Sequence, residues 1–310
     1  MQVFDSIKDL KKNKNTILTL GTFDGIHPGH LKIIDKMVDR SRKYGFRNVV
    51  ITFHPHPRAV LSANSDVKLL TTPREKIELL RKNGVENVLT INFTKEFASL
   101  TAEEFIYDFL VNGIGLSEIV LGHDHHFGKG RSGNAELLKV IGAKENFTVT
   151  TVDAFYINDE VVSSTKIRNA LSNGELKKAN SLLGRNYSFS GVVVGGDKRG
   201  RELGYPTANI KLLSQDKLLP AIGIYAVKVI VGSEKHIGLL SIGKRPTFYN
   251  EGEIVTEVFI YNFDREIYNE VVTLELIERL RGEEKFNSAD ELINQMNKDK
   301  ENGLKILTNK

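Results

Sequence analysis

The sequence contains no cysteine, which excludes disulfides, thiolate metal sites and cysteine nucleophiles. It also lacks any stretch approaching the roughly 18 uninterrupted apolar residues of a membrane helix. The N-terminal segment Met1 to Asn15 is polar and lysine-rich with no apolar region, so no secretory signal is expected. A large charge of either sign is missing too. The formal net charge is +4, too small for the concentrated basic face of a nucleic-acid binder and equally suited to an enzyme of phosphorylated substrates. These absences fit a cytoplasmic protein with neither a membrane nor a nucleic-acid partner. What is present is a chain of 310 residues, 40% hydrophobic and 26% charged, the mix of a folded protein of one large or two ordinary domains.

The chain reads as two halves with different rhythms. Short apolar runs at Ile17–Leu20, Val49–Phe53, Val88–Phe93, Ile119–Gly122 and Val149–Val152 alternate with helical stretches. Each run is β-branched-rich and apolar on both faces, as a buried parallel strand is. Helix starts are signalled by Thr72-Pro73-Arg74-Glu75 and by Thr101-Ala102-Glu103-Glu104, both with capping-box spacing. The alternation predicts an α/β domain with a mostly parallel, helix-covered sheet. Beyond about residue 185 the runs Tyr187–Val194, Ile224–Val231, His236–Ile242, Ile254–Tyr261 and Val271–Ile277 follow one another across turn-rich segments. This predicts an antiparallel sheet or small barrel, closed by a helix that starts at Ser288 and runs to Leu304 or beyond. The expected domains are 1–184 and 185–310.

The first run ends in Gly21-Thr-Phe23-Asp24-Gly-Ile-His27-Pro28-Gly29-His30, which opens a helix. Glycines let backbone approach a ligand closely, and a helix N-terminus attracts phosphate. His27 and His30 can address one anion and stabilise charge developing on it. The alternative for the isolated motif is a helix cap with two surface histidines. Three further segments follow in order: Thr52-Phe53-His54-Pro55-His56-Pro57, Gly122-His123-Asp124-His125-His126-Phe127-Gly128-Lys129-Gly130-Arg131-Ser132-Gly133, and Ser163-Ser164-Thr165-Lys166-Ile167-Arg168. All lie at strand ends or helix starts, where open parallel sheets bind ligands.

The first motif resembles that of the H-x-G-H nucleotidyltransferases. Its longer form is similar to the adenylyltransferase half of bacterial bifunctional riboflavin kinase/FAD synthetases. The resemblance implies that His27 and His30 stabilise an adenylyl transition state. It also implies that Gly21, Phe23, Asp24, Gly29, Ser163, Ser164, Thr165 and Arg168 bind ATP or its phosphates, with Asp24 binding nucleotide or orienting a histidine. His56, Asp124, Phe127 and Arg131 are the implied flavin contacts, and Phe155 and Tyr156 are further candidates for an aromatic wall. The sequence departs from the family at His125 and His126, where an aromatic residue and an arginine are usual. A metal reading of the histidines here lacks the usual ligand spacings, and at His54 and His56 the neighbouring prolines favour a rigid extended loop over a metal clamp. Altered holding of flavin or phosphate is the other reading.

In the second half, the string Gly191 to Asn209 is dense in glycine and includes Gly195, Lys198, Arg199, Arg201, Gly204, Pro206, Thr207 and Asn209. Such a backbone can wrap phosphates, although the P-loop pattern is absent. Thr207 and Asn209, two apart, face one side of an extended segment and offer hard ligands for Mg²⁺. The alternative is a basic surface loop followed by an edge strand. The string closely resembles the riboflavin kinase signature. Later marks follow at Pro220–Tyr225, Gly243–Phe248, Thr256–Phe259, Arg281 and Lys285-Phe286, with Ser241 standing where asparagine is common. The resemblance implies that Gly195, Lys198, Arg201 and Gly204 hold ATP, that Thr207 and Asn209 hold Mg²⁺, that Glu257 is a general base and that Arg281 holds flavin or phosphate. Glu257 shares a strand face with Val255, Phe259 and Tyr261, so it needs a partner or a task. The implied activity converts riboflavin and ATP to FMN, then FMN and ATP to FAD. Three alternatives remain: a kinase with an impaired first half, another H-x-G-H nucleotidyltransferase, and a flavin-binding regulator.

Overall fold

The computed structural model describes residues 1–62, 67–196, 205–244 and 254–309. Its compact units are Met1–Ser164 and Thr165–Lys310. Among the described residues no helix is long and apolar enough to cross a membrane.

The first unit is built on six strands: β1 (Gln2–Phe4), β2 (Thr16–Leu20), β3 (Arg47–His54), β4 (Asn87–Asn92), β5 (Glu118–Gly122) and β6 (Thr148–Val152). They form one sheet in the order β1-β4-β3-β2-β5-β6, and every pair is parallel. Its helices are α1 (Pro28–Tyr44), α2 (Pro57–Leu61), α3 (Pro73–Lys82), α4 (Lys95–Ala98), α5 (Ala102–Glu104), which continues as a π-helix over Phe105–Ile114, and α6 (Ala135–Glu145). The predicted capping boxes at Thr72/Glu75 and Thr101/Glu104 both form.

Alternation along the strands explains why both faces read as apolar. Leu18, Leu20, Val49, Ile51, Leu89, Ile119 and Leu121 pack under the π-helix and α6. Ile17, Val50, Val88 and Val120 pack under α1 and α3. Strand β6 departs from the expected full burial: it is an edge strand with Thr148 and Thr151 exposed. Strand β1 and a two-residue hairpin, Tyr156–Ile157 with Glu160–Val161, were not signalled by apolar runs because neither is long enough to show a period. The strand order reverses at β2, whose neighbours are β3 and β5. The crevice beyond the carboxyl ends of β2 and β5 is therefore the place where such sheets take ligands.

The second unit opens with α7 (Ser164–Ser172, which starts on the last residue of the first unit) and α8 (Leu176–Leu183). Six antiparallel strands follow: β9 (Tyr187–Val194), β10 (Thr207–Leu212), β11 (Gly223–Val231), β12 (Glu234–Lys244), β13 (Ile254–Ile260) and β14 (Val271–Arg281). They close into a barrel in the order β10-β13-β12-β11-β14-β9. Alternate residues such as Tyr187, Phe189, Tyr225, Val227, Leu240, Val258 and Leu274 are fully buried, so the barrel is a packed core rather than a channel. The sixth strand, β10, lacks the apolar run that marks the others because its residues are Thr207-Ala-Asn209-Ile-Lys-Leu212. Helix α9 (Ala289–Thr308) lies against the outer wall, with Ile306 and Leu307 on Ala226, Leu239, Tyr261 and Ile277.

Candidate functional site

In the first unit β2 delivers the chain into a tight turn before α1. Gly21 closes it onto the sheet by donating its N–H to Ile51 O at 3.0 Å. Phe23 (φ 46°) and Ile26 (φ 38°) sit in left-handed backbone conformations that non-glycine residues rarely adopt. His27 is the residue before α1, Pro28 takes the first helical position, and Gly29 lies beside the His27 ring. The His27 and His30 rings stack with centroids 3.7 Å apart, and Phe23 meets His30 edge-on at 5.3 Å. The two histidines therefore form one imidazole stack at the positive end of α1.

Asp24 is only 1% exposed. Its carboxylate accepts the N–H groups of Leu70 (3.0 Å) and Thr71 (2.9 Å) and the Thr71 hydroxyl (3.2 Å). The Gly25 N–H in turn donates to Thr71 Oγ1 at 3.0 Å. Asp24 thus ties the turn to the segment that leads into α3. Ser164, the last residue of the first unit, donates from Oγ to the Asp24 carbonyl at 2.8 Å. Ser163 precedes it, while Thr165 and Arg168 follow within the second compact unit.

Another anchor was not read from the sequence. Lys76, in α3, donates to the Thr22 carbonyl at 2.7 Å and to Thr52 Oγ1 at 3.1 Å. The signal was available, because Lys76 lies one turn before the fully buried Leu80 on the core-facing stripe of the helix, where lysine breaks the apolar pattern.

The remaining expected residues of this half divide by environment. His56 precedes α2, and its Nδ1 accepts the Arg58 N–H at 3.1 Å. Asp124 and Arg131 are exposed on the loop after β5. Phe127 is instead buried in the core against Phe105, and it exchanges two backbone hydrogen bonds with Gly133. His126 donates from Nδ1 to the Asp124 carbonyl at 2.9 Å. His125 stacks toward Phe127, its Nε2 is buried without a hydrogen-bond partner, and burial pushes its imidazole down to about 4. Among the described residues no group of three or more histidine, cysteine or carboxylate side chains is placed to hold a metal ion.

In the second unit β10 and β13 pair so that Asn209 faces Glu257 and Thr207 faces Phe259. Thr207 Oγ1 donates to Glu257 Oε2 at 3.0 Å. Ser241 of β12 is the cross-strand neighbour of Glu257 on its other side, so the residue that departs from the resembled signature borders the expected base. Inward-facing Thr256 and Val258 are buried, while Glu257 lies half-buried on the outer wall beside Phe259. Asn209 packs on the Gly196 backbone, one residue after Gly195. Lys198, Arg201 and Gly204 lie outside the described residues, as do Arg245 to Phe248. Arg281 is engaged by α9: its guanidinium donates to Asp299 at 2.8, 3.0 and 3.1 Å and to the Gly282 carbonyl at 3.0 Å.

Comparison with known proteins accounts for both halves. The FAD synthetase family matches residues 9–166, and the riboflavin kinase family matches residues 183–307. A bifunctional riboflavin kinase/FMN adenylyltransferase from Listeria monocytogenes is 40% identical, covering 93% of this chain and 91% of the relative. The protein of the same description from Bacillus subtilis is 36% identical, over 96% and 95%. A crystal structure from Streptococcus pneumoniae, described as a macrolide-efflux protein, matches with a TM-score of 0.88 and 35% identity over 97% of both chains. With both domains present in order and the relatives matched over nearly their whole length, the chain belongs to the bifunctional riboflavin kinase/FMN adenylyltransferase family.

Proposed function

We propose that the two activities of this family, phosphorylation of riboflavin to FMN and adenylylation of FMN to FAD, run at two separate sites whose residues are those assembled above. The functional domains are 1–184 and 185–310. The observation that carries the reading is that each half gathers its reactive side chains at one place. In the first they are the His27–His30 stack at the end of α1. In the second they are Glu257, Thr207 and Asn209 in register on neighbouring strands.

In the second half Glu257 takes the proton of the terminal ribityl hydroxyl as that oxygen bonds to the γ-phosphorus of ATP and the bond to ADP breaks. Thr207 orients the carboxylate by donating to one oxygen, leaving the other for the substrate. The Thr207 hydroxyl and Asn209 amide oxygen are hard donors on the face of Glu257, and they fit a Mg²⁺ ion carried in with ATP. Bound there, Mg²⁺ would neutralise phosphate charge. In the first half a phosphate oxygen of FMN attacks the α-phosphorus of ATP and pyrophosphate leaves. His27 and His30 stabilise the charge that develops, helped by the N-terminus of α1. Ser163, Ser164, Thr165 and Arg168 act on the leaving phosphates. His56, Asp124 and Arg131 are the polar contacts for flavin. The substrates are ATP, riboflavin and FMN, the setting is the cytoplasm, and neither nucleic acid nor membrane is needed.

Chromatography of products from riboflavin with ATP·Mg²⁺, and from FMN with ATP·Mg²⁺, tests the reading. His30→Ala is expected to abolish FAD while FMN still forms. Glu257→Gln is expected to abolish FMN formation while supplied FMN is still adenylylated. Loss of both products from either folded variant would show that the sites are not separate.

A further inference from the structure

Lys76 is buried, only 9% exposed, and the motifs of the first half leave it without a task. Its ammonium touches two of them at once. Thr22, whose carbonyl it holds, belongs to the turn between β2 and α1. Thr52, whose hydroxyl it holds, lies near the end of β3, two residues before His54. Thr52 itself donates to the Thr22 carbonyl at 3.2 Å, so lysine, hydroxyl and carbonyl form one closed network. Asp24 and Thr71 fix the turn from the other side, and the Thr72/Glu75 capping box sets the direction in which α3 leaves. Two independent anchors on α3 and its lead-in thus grip a turn that carries strained backbone at Phe23 and Ile26. Strain of this kind persists only where the surroundings over-determine it.

A lysine is an expensive anchor. Burial pushes its ammonium down to about 8, against the pull of the Asp24 carboxylate. An apolar side chain of the same length would fold at lower cost, and a buried ionisable group beside reactive side chains is a functional candidate. The charge acting on Lys76 is that of Asp24; its partners from the turn and from β3, Thr22 and Thr52, are neutral.

We propose that Lys76 is a positioning residue for adenylyl transfer: by holding the Thr22 carbonyl and the Thr52 hydroxyl together, its ammonium keeps the strained turn in the shape that presents His27 and His30 to the nucleotide. This rests on the reading of those histidines as the adenylyl-transfer site. Because the histidines act on the transition state, the lysine governs kcat more than substrate binding.

Lys76→Met removes the charge and keeps the chain length. The kcat for FAD formation is expected to fall about 10²-fold, the loss typical of a reacting group displaced by about 1 Å. KM for ATP and FMN should move less than about threefold, and riboflavin phosphorylation in the same sample should be unchanged. A pH series separates positioning from mere support. In the wild type FAD formation should fall as pH rises through about 8, where the ammonium loses its proton. Over that range, from about 8 to the ordinary lysine value of 10.5, the unfolded chain binds more protons than the folded one, so the contribution of Lys76 to stability rises with pH. Activity and that contribution should therefore move in opposite directions, and the alkaline limb should be absent from the residual rate of Lys76→Met. If Lys76→Met does not fold, Thr52→Val decides: it removes one partner of the ammonium at constant shape, and it should lower kcat for FAD while its melt still lies well above the assay temperature. Wild-type kcat in folded Lys76→Met, or in Thr52→Val if that variant must decide, overturns the inference. His30→Ala is assayed alongside. A live His30→Ala overturns the site reading and this inference with it, whereas a dead His30→Ala beside a live Lys76→Met overturns the role of the lysine alone.

Discussion

The Arg281–Asp299 pair offers a sharp test of what Arg281 does. The sequence resemblance casts this arginine as a flavin or phosphate ligand, yet its guanidinium is bound by a carboxylate of α9. The side chains of Arg281 and Asp299 are only 15% and 7% exposed. Gln295 adds a further bond to Asp299 at 2.9 Å. Removing one partner of a pair this enclosed strands the other and costs about 3–5 kcal/mol. Glu284, 3.9 Å from Arg281, and partial access to water reduce the loss for Asp299→Ala to about 3 kcal/mol. For a unit of about 150 residues that lowers Tm by about 6–12 °C. Arg281→Met should cost a similar amount. The double variant Arg281→Met/Asp299→Leu should recover most of it, because an apolar pair needs no partner, giving a coupling of about 2 kcal/mol. Urea and thermal melts by tyrosine signals suit the purpose, since the chain has no tryptophan to mask them. KM for riboflavin, measured well below the melt, should stay within about threefold, or about 0.6 kcal/mol. A Tm change under about 2 °C together with a tenfold rise in KM would refute the structural role and support the flavin or phosphate role that the resemblance implies.

Two further outcomes follow from the loop after β5. His125 is held below its ordinary value, near 4. As pH falls from about 6.5 toward 4, the unfolded chain takes up a proton that the folded loop refuses, and stability is lost by about 3 kcal/mol. His125→Phe, which keeps the stack on Phe127, should flatten that acid limb in melts taken from pH 7 to 4. An unchanged limb would mean that the imidazole charges freely in the fold. Gly133→Ala would put a Cβ 2.5 Å from the buried Phe127 ring. Overpacking of that kind costs about 1–3 kcal/mol, and a melt within about 1 °C of wild type would contradict the packing described.

The parts of the molecule written in local, repeated chemistry were legible from sequence. The capping boxes at Thr72 and Thr101 need only residues three apart, and the parallel strands announce themselves because both of their faces are covered. Alternation grouped Glu257 with Val255, Phe259 and Tyr261 on one face, but which face turns outward is set by barrel closure. Strand β10 escaped because Thr207 and Asn209 occupy positions where an apolar run would otherwise show. Phe127 read as a ligand-facing aromatic, but whether such a ring points into a core or a cleft depends on Phe105 and Gly133, which the fold brings to it. Arg281 and Lys76 illustrate the same limit. Their partners, Asp299 and the Thr22–Thr52 network, lie far along the chain, and single-sequence periodicity carries no record of which distant group answers a charge.

Barrel closure has a consequence for self-association. A closed ring of strands has no unpaired row of backbone N–H and C=O groups, so among the described residues the barrel gives another chain no template for strand addition. The open sheet of the first unit has two borders. One is β1, whose three residues are too few to nucleate pairing. The other is β6, Thr148-Val-Thr-Thr-Val152, five residues long and carrying no charge to repel a partner strand. Among the described strands, backbone-mediated assembly or aggregation has β6 as its point of entry, and a lysine at Thr151 is the smallest change that would guard it.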